Sequence, residues 1–267
     1  MKNGKLLIIG GAEEKYQGVT ILRKFVELAQ QNNGKIGILT TATQLPEEVG
    51  NEYKEVFANL GAADSITIDV DSREKAEDEN ILEDVQSLSA LFITGGDQSR
   101  LTKMITGTKL HRLFFQKWHE GMVLSGTSAG ASIMGKHMIV SAMTKDEDEI
   151  LQVEMDQGFG FMHTLLIDQH FSQRARFDRL LGAIAGNPDL MGIGIDENTA
   201  ILVDGDRFEV LGEHQVLILD GKDSSYVEVT TTEEGSEELT VSNFKLHTLT
   251  SGCHFDLKSR KLIRKED

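Results

Sequence analysis

The sequence predicts an α/β protein: a mainly parallel sheet flanked by helices, followed by a β-rich C-terminal portion. Three observations lead there. Short apolar runs recur, each closed by glycine or a polar turn and then followed by a helical pattern. Several of those turns are glycine-rich. Beyond about Thr199 the helical pattern gives way to closely spaced strands. Alternating strands and helices build a parallel sheet covered on both faces, and such sheets form sites at the carboxyl ends of their strands.

Taken in order, Lys5 to Ile9 reads as a strand ending in Gly10-Gly11, and Ile21 to Ala29 as an amphipathic helix. Lys35 to Leu39 is a second strand, ending in Thr40-Thr41-Ala42-Thr43, and a helix from about Glu47 to Leu60 is closed by Gly61. Ser65 to Ile68 and Ala90 to Thr94 are further strands, the latter ending in Gly95-Gly96. Met122 to Ser125 is a fifth, leading into Gly126-Thr127-Ser128-Ala129-Gly130. In the C-terminal part, Ala200 to Val203 and Arg207 to Leu211 flank Asp204-Gly205-Asp206, a hairpin signature. Val216 to Leu219 is another strand, and the acidic stretch Thr230 to Glu238 reads as an exposed loop. With no repeat, linker or proline-rich segment, residues 1–267 are expected to form one domain, β-rich from about 200 to 267.

Lys and Arg number 27 against 43 Asp and Glu, a net charge of -16. That balance argues against broad binding to nucleic acid or an anionic membrane. Cys253 is the one cysteine, so no intrachain disulfide can form. The apolar run before Gly10 is too short to span a membrane and lacks a signal-peptide cleavage pattern. A cytoplasmic location is the expectation.

Gly126-x-Ser128-x-Gly130 has the glycine spacing of a nucleophile elbow, in which a serine is exposed on a sharp strand-to-helix turn. A serine needs a base, and there are eight histidines. His170 lies where the apolar run Leu165-Leu166-Ile167 ends, which favours it modestly over His163 and His137; His111 and His119 fall in a helical pattern with Trp118. The imidazole needs an orienting acid. Ile193-Gly194-Ile195 ends in Asp196-Glu197, and the pattern leaves the two open. Backbone N–H groups around Gly95-Gly96 could join that of Ala129 in an oxyanion hole. Neither glycine pair has the lysine and serine or threonine of a nucleotide P-loop. Arg174, Arg176 and Arg179 form a basic cluster suited to gripping carboxylates, or else a helix paired with Asp178 and neighbouring acids. No cysteine–histidine group has zinc-ligand spacing, and neither a metal nor a cofactor is expected.

Together, Gly10-Gly11-Ala12-Glu13, Thr94-Gly95-Gly96-Asp97-Gln98, Gly126 to Ala131, Asp168-Gln169-His170-Phe171 with the three arginines, and Gly194 to Ala200 resemble the cyanophycinase family of serine peptidases, related to the aspartyl dipeptidases. The resemblance covers roughly residues 5 to 220, with the runs in family order. It implies a glutamine-amidotransferase-like fold, a homodimer, and a triad of Ser128, His170 and Glu197, which selects Glu197 over Asp196. It implies a substrate pocket at Gln98, Asp168, Gln169, Arg174, Arg176 and Arg179. Asp97 stands where the family often has asparagine, which adds a carboxylate near the site. The family's substrate is cyanophycin, a polyaspartate backbone with arginine on each β-carboxyl group, cut exolytically to β-Asp-Arg dipeptides. A dipeptidase for aspartyl peptides and a non-catalytic binding protein are the other readings of the same fold.

Overall fold

The computed structural model describes residues 3–31, 34–142, 153–231 and 237–263. It opens with β1 (Leu6–Ile9), α1 (Thr20–Gln30), β2 (Lys35–Leu39), α2 (Pro46–Asn59) and β3 (Asp64–Ile68). Pro46 starts α2, where a missing N–H costs nothing. Next come α3 (Glu79–Gln86), β4 (Ala90–Ile93), α4 (Gln98–Ile105), α5 (Lys109–His119) and β5 (Val123–Thr127). Asp97 caps α4 by accepting from the Ser99 and Arg100 N–H groups. Aspartate and asparagine serve equally at that position, so this carboxylate is a helix cap.

A single turn, α6 (Ala129–Ser132), follows the elbow, then the hairpin β6 (His137–Ala142) and β7 (Val153–Gln157), then β8 (Leu165–Gln169), α7 (Phe177–Gly186) and β9 (Met191–Ile195). The C-terminal strands are β10 (Thr199–Asp204), β11 (Arg207–Gly212), β12 (Val216–Asp220), β13 (Tyr226–Thr231), β14 (Glu237–Ser242), β15 (Lys245–Leu249), β16 (His254–Asp256) and β17 (Lys261–Ile263). The expected β10–β11 hairpin is present, with Asp204 paired to Arg207. Of the expected loop at Thr230 to Glu238, Thr230 and Thr231 pair with Glu238 and Glu237 as strand, and residues 232–236 lie outside the described residues.

The main sheet has nine strands in the order β17-β16-β11-β10-β1-β5-β4-β2-β3. From β1 to β3 all neighbours are parallel, whereas β10 joins β1 antiparallel, so the sheet is mixed and the β-rich tail continues it. A second sheet, β15-β12-β9-β8, carries β8 and β9 as a parallel pair. Helices cover the main sheet and strands enrich the C-terminal end, which is the mixed α/β architecture that the patterning predicts.

Strand alternation sorts the core. Leu7 and Ile9 of β1 face α1 and α2, in a cluster where the rings of Phe25, Phe57 and Phe92 lie 5.3–5.4 Å apart. Leu6 and Ile8 face the other way, into a larger cluster with Ile167 and Ile195 of the second sheet. Burying these faces against each other brings the ends of β8 and β9 over the ends of β1 and β5. Among the described residues no helix is long and apolar enough to cross a membrane.

Candidate active site

The carboxyl end of β1 collects the functional turns. The Ile9 carbonyl accepts the Ser128 N–H at 3.1 Å, the Gly10 carbonyl accepts the His170 N–H at 2.8 Å, and the Gly11 carbonyl accepts the Asn198 N–H at 2.9 Å. Three consecutive carbonyls thus hold turns from three different strands. Glycine is required here for space. A Cβ on Gly10 would lie 2.1 Å from the Asp196 carbonyl oxygen, and one on Gly11 would lie 2.4 Å from His170 Cε1. Gly11 also has φ 100°. The Gly10-Gly11 pair is the floor under the imidazole.

Ser128 sits between β5 and α6 with φ 52° and ψ −112°, a conformation that a non-glycine residue holds only under constraint. The elbow is tight because a Cβ on Gly126 would meet the Gly130 carbonyl oxygen at 2.1 Å. The Ser128 carbonyl accepts the N–H groups of Ala131 and Ser132. Ala129 is the first residue of α6, where the N–H has no carbonyl a turn back to bond. With one turn, α6 has little macrodipole to offer, so any help to negative charge comes from individual amides. Gly95 lies against the nucleophile candidate: a Cβ there would be 3.7 Å from Ser128 Oγ. Gly96, at φ 140°, packs on the Ala42 carbonyl.

His170 follows β8 directly and has φ 47°. Its Nε2 lies 3.0 Å from Ser128 Oγ and its Nδ1 lies 2.6 Å from Glu197 Oε1. Ionised Glu197 can only accept, so Nδ1 carries the proton and Nε2 is free to accept from the serine hydroxyl. Burial lowers the imidazole pKa below its ordinary 6.5; the Glu197 hydrogen bond and charge oppose this, and Arg174 and Arg176 add to it. Asp196 is elsewhere. It is buried and accepts the N–H groups of Ser172 and Gln215. The alternative bases are also apart: His163 is exposed at the opposite end of β8, His137 begins β6, and His111 faces the Phe159 carbonyl at 3.1 Å.

The basic run divides. Asp168, 1% exposed, accepts from both Arg176 and Arg179, the latter through Nε at 2.7 Å and through Nη2. Arg176 also donates to the Gln169 carbonyl, and burial pushes its pKa down to about 10, which leaves it charged at neutral pH. The acid that takes these arginines is therefore Asp168, not Asp178, and both carboxylate oxygens of Asp168 are occupied. Arg174 is the exposed member of the run. Gln169 is buried beside His170, and its Oε1 has no partner among the described residues. Gln98, at the start of α4, donates to the Ile139 carbonyl of β6.

Sequence reasoning assigned no role to Glu13, Asn198 or Gln173. Asn198, at φ 47°, holds the Glu14 N–H through Oδ1 at 3.1 Å, and Gln173 Oε1 accepts the Glu197 N–H at 3.1 Å. The signal for the first two was their place in the glycine and Asp-Glu-Asn runs.

The model of Peptidase family S51 matches residues 6–211. The chain belongs to peptidase family S51. It is a serine-type peptidase. The chain is 37% identical over 262 residues to a cyanophycinase from Geminocystis herdmanii, covering 96% of this chain and 94% of that one. It is 34% identical over 264 residues to a cyanophycinase from Synechococcus elongatus, covering 98% and 82%. Among solved structures, a peptidase from an acI-B1 Actinobacterium aligns with TM-score 0.65 and 23% identity over 93% of this chain and 97% of that one. A putative peptidase E protein from Listeria monocytogenes aligns with TM-score 0.53 and 14% identity over 79% and 99%. Those two likenesses bear on the fold alone.

Gly11→Ala should leave the chain folded yet displace the His170 ring, because a methyl group cannot occupy that space. A misplacement near 1 Å costs about 100-fold in rate. Peptidase kinetics beside circular dichroism checks this; near-normal kcat in a folded variant would contradict the role of the glycine floor.

Proposed function

We propose that the chain is a serine exopeptidase that hydrolyses cyanophycin to β-Asp-Arg dipeptides through an acyl-enzyme, with Ser128 as nucleophile, His170 as base and Glu197 as the orienting acid. The observation that carries the chemistry is the unbroken line from Ser128 Oγ through His170, at 3.0 and 2.6 Å, to Glu197. The substrate follows from near-full-length similarity to proteins named cyanophycinase.

In this reading His170 Nε2 takes the Ser128 proton as Oγ attacks an aspartyl–aspartyl peptide carbonyl. The new imidazolium is held by Glu197. Backbone N–H groups at Gly96 and Ala129 receive the oxyanion. The carbonyl re-forms, the C–N bond breaks, and His170 gives its proton to the departing amine. Water, deprotonated by His170, then attacks the ester and releases Ser128. Arg174 and Gln169 contact the substrate with Gln98, while Asp168, Arg176 and Arg179 brace that wall as a buried ion-paired unit. Exposed Arg174 suits a carboxylate of the arginines attached along the polymer, and the open Gln169 oxygen suits an N–H donor of the substrate. The polymer is zwitterionic, so the chain's charge of -16 does not oppose its approach. A homodimer working in the cytoplasm completes the proposal; sedimentation of the purified chain as a monomer would remove the dimer.

Incubation with purified cyanophycin should release β-Asp-Arg, identified by mass spectrometry, and Ser128→Ala should slow release by about 10⁴-fold or more. Cleavage of short aspartyl peptides without attack on the polymer would favour a dipeptidase instead. No cleavage of either would favour a binding protein.

The pH dependence has a definite sign. The base works neutral, and burial lowers its pKa, so kcat/KM should fall only as pH drops through a midpoint below 6.5. Glu197 favours the protonated ring, so Glu197→Gln should move the midpoint lower and slow turnover. A wild-type midpoint at or above 6.5 would contradict this account.

A further inference from the structure

Glu13 lies in the loop leaving β1 and is only 5% exposed. Its Oε2 accepts from Thr127 Oγ1 at 2.5 Å and its Oε1 accepts from the Tyr53 hydroxyl at 2.5 Å. O–H···O contacts this short belong to charge-assisted bonds. Burial first, then the charge of Glu13, drives the Tyr53 pKa well above its ordinary value, so Tyr53 remains a donor. Lys15 closes the outer side, its ammonium 4.6 Å from the Tyr53 ring centroid and 2.7 Å from Glu52.

The loop is aimed by backbone geometry. Ala12, at φ 47°, turns the chain, while the Glu14 N–H is held by Asn198 Oδ1. Thr127 immediately precedes Ser128 and its constrained φ. Glu197, Arg174 and Arg176 act electrostatically on the His170 ring. Glu13 meets the site through its hydrogen bond to Thr127. A carboxylate buried for stability alone is a poor bargain, since an apolar residue of similar volume usually serves as well.

We propose that Glu13 is a positioning residue for Ser128: by fixing the Thr127 hydroxyl, it holds the elbow in the constrained positive-φ conformation that presents Oγ to His170. The proposal rests on the reading of Ser128 as nucleophile. It gives the Gly10-Gly11-Ala12-Glu13 run a second purpose, in which glycines seat the histidine and the glutamate seats the serine from the opposite face of the sheet.

The test uses the full chain and its variants Glu13→Ala, Glu13→Gln and Thr127→Val, below their melting temperatures. Two rates are read: turnover of cyanophycin, and acylation of Ser128 by a fluorophosphonate. Glu13→Ala and Thr127→Val should each lower kcat and the acylation rate by about 10- to 100-fold, the loss of one charge-assisted hydrogen bond, with KM nearly unchanged. Glu13→Gln keeps the shape and one acceptor and should recover part of the loss. The midpoint of the pH profile should stay in place, because the proposed role is geometric. Combining Glu13→Gln with Thr127→Val should be no worse than Thr127→Val alone, since both break the same link. Acylation and turnover within about twofold of the unaltered chain, an effect confined to KM, or additive losses would overturn the proposal. If Glu13→Ala fails to fold, size-matched Thr127→Val decides. Failure of the unaltered chain to acylate at Ser128 removes the nucleophile reading and this one together; normal acylation with indifferent variants removes this one alone.

Discussion

Everything at the site depends on the way the end of β1 is hydrogen-bonded. The carbonyls of Ile9, Gly10 and Gly11 take the amides of Ser128, His170 and Asn198, one from each of the turns that follow β5, β8 and β9. Parallel β1–β5 pairing places the first turn, and packing of the second sheet on the first places the other two. The two sheets could drift relative to one another without penalty to their internal ladders. The two bonds at Gly10 and Gly11 fix the offset, and glycine lets the imidazole settle directly on the chain beneath it.

The fixed offset is what allows strained residues to persist. Ser128, His170 and Asn198 all have positive φ, at 52°, 47° and 47°. Each such residue costs roughly 1–3 kcal/mol, more than a single hydrogen bond of about 1 kcal/mol supplies. The surrounding contacts must therefore over-determine each turn: close glycine packing under Ser128, the Gly11 floor under His170, and the Asn198 side chain on Glu14. The Asp168 pair with Arg176 and Arg179 belongs to the same logic. It ties the end of β8 to the start of α7 and keeps the segment after His170 from swinging away.

Much of this architecture is legible in the sequence because it is local. Strand ends at Gly10 and Gly95, the glycine-flanked elbow around Ser128 and the Asp204-Gly205-Asp206 hairpin are written in turn chemistry. What was not legible depends on long-range pairing. Nothing near Thr199 reveals that β10 will add antiparallel to β1, so the β-rich tail looks like an appendix when it extends the main sheet. Asp196 and Glu197 are equivalent as carboxylates at a strand exit; only the path through left-handed Asn198, and the Ser172 and Gln215 amides waiting for Asp196, separate them. The arginine run misled in another way. Helical spacing points to Asp178, but the chain turns between β8 and α7, and that turn brings Asp168 within reach instead. Glu13 could be seen only as the polar end of a glycine turn, since its partners Tyr53 and Thr127 are 40 and 114 residues away.

The most direct measurement is the proton on His170, read by NMR on chain carrying ¹⁵N-histidine at neutral pH. The account predicts a proton bonded to Nδ1, shifted far downfield by its bond to Glu197, with Nε2 unprotonated and facing Ser128. It also predicts that this signal disappears in Glu197→Ala. A proton resting on Nε2, or a downfield Nδ1 signal that survives Glu197→Ala, would contradict the arrangement on which the whole reading stands.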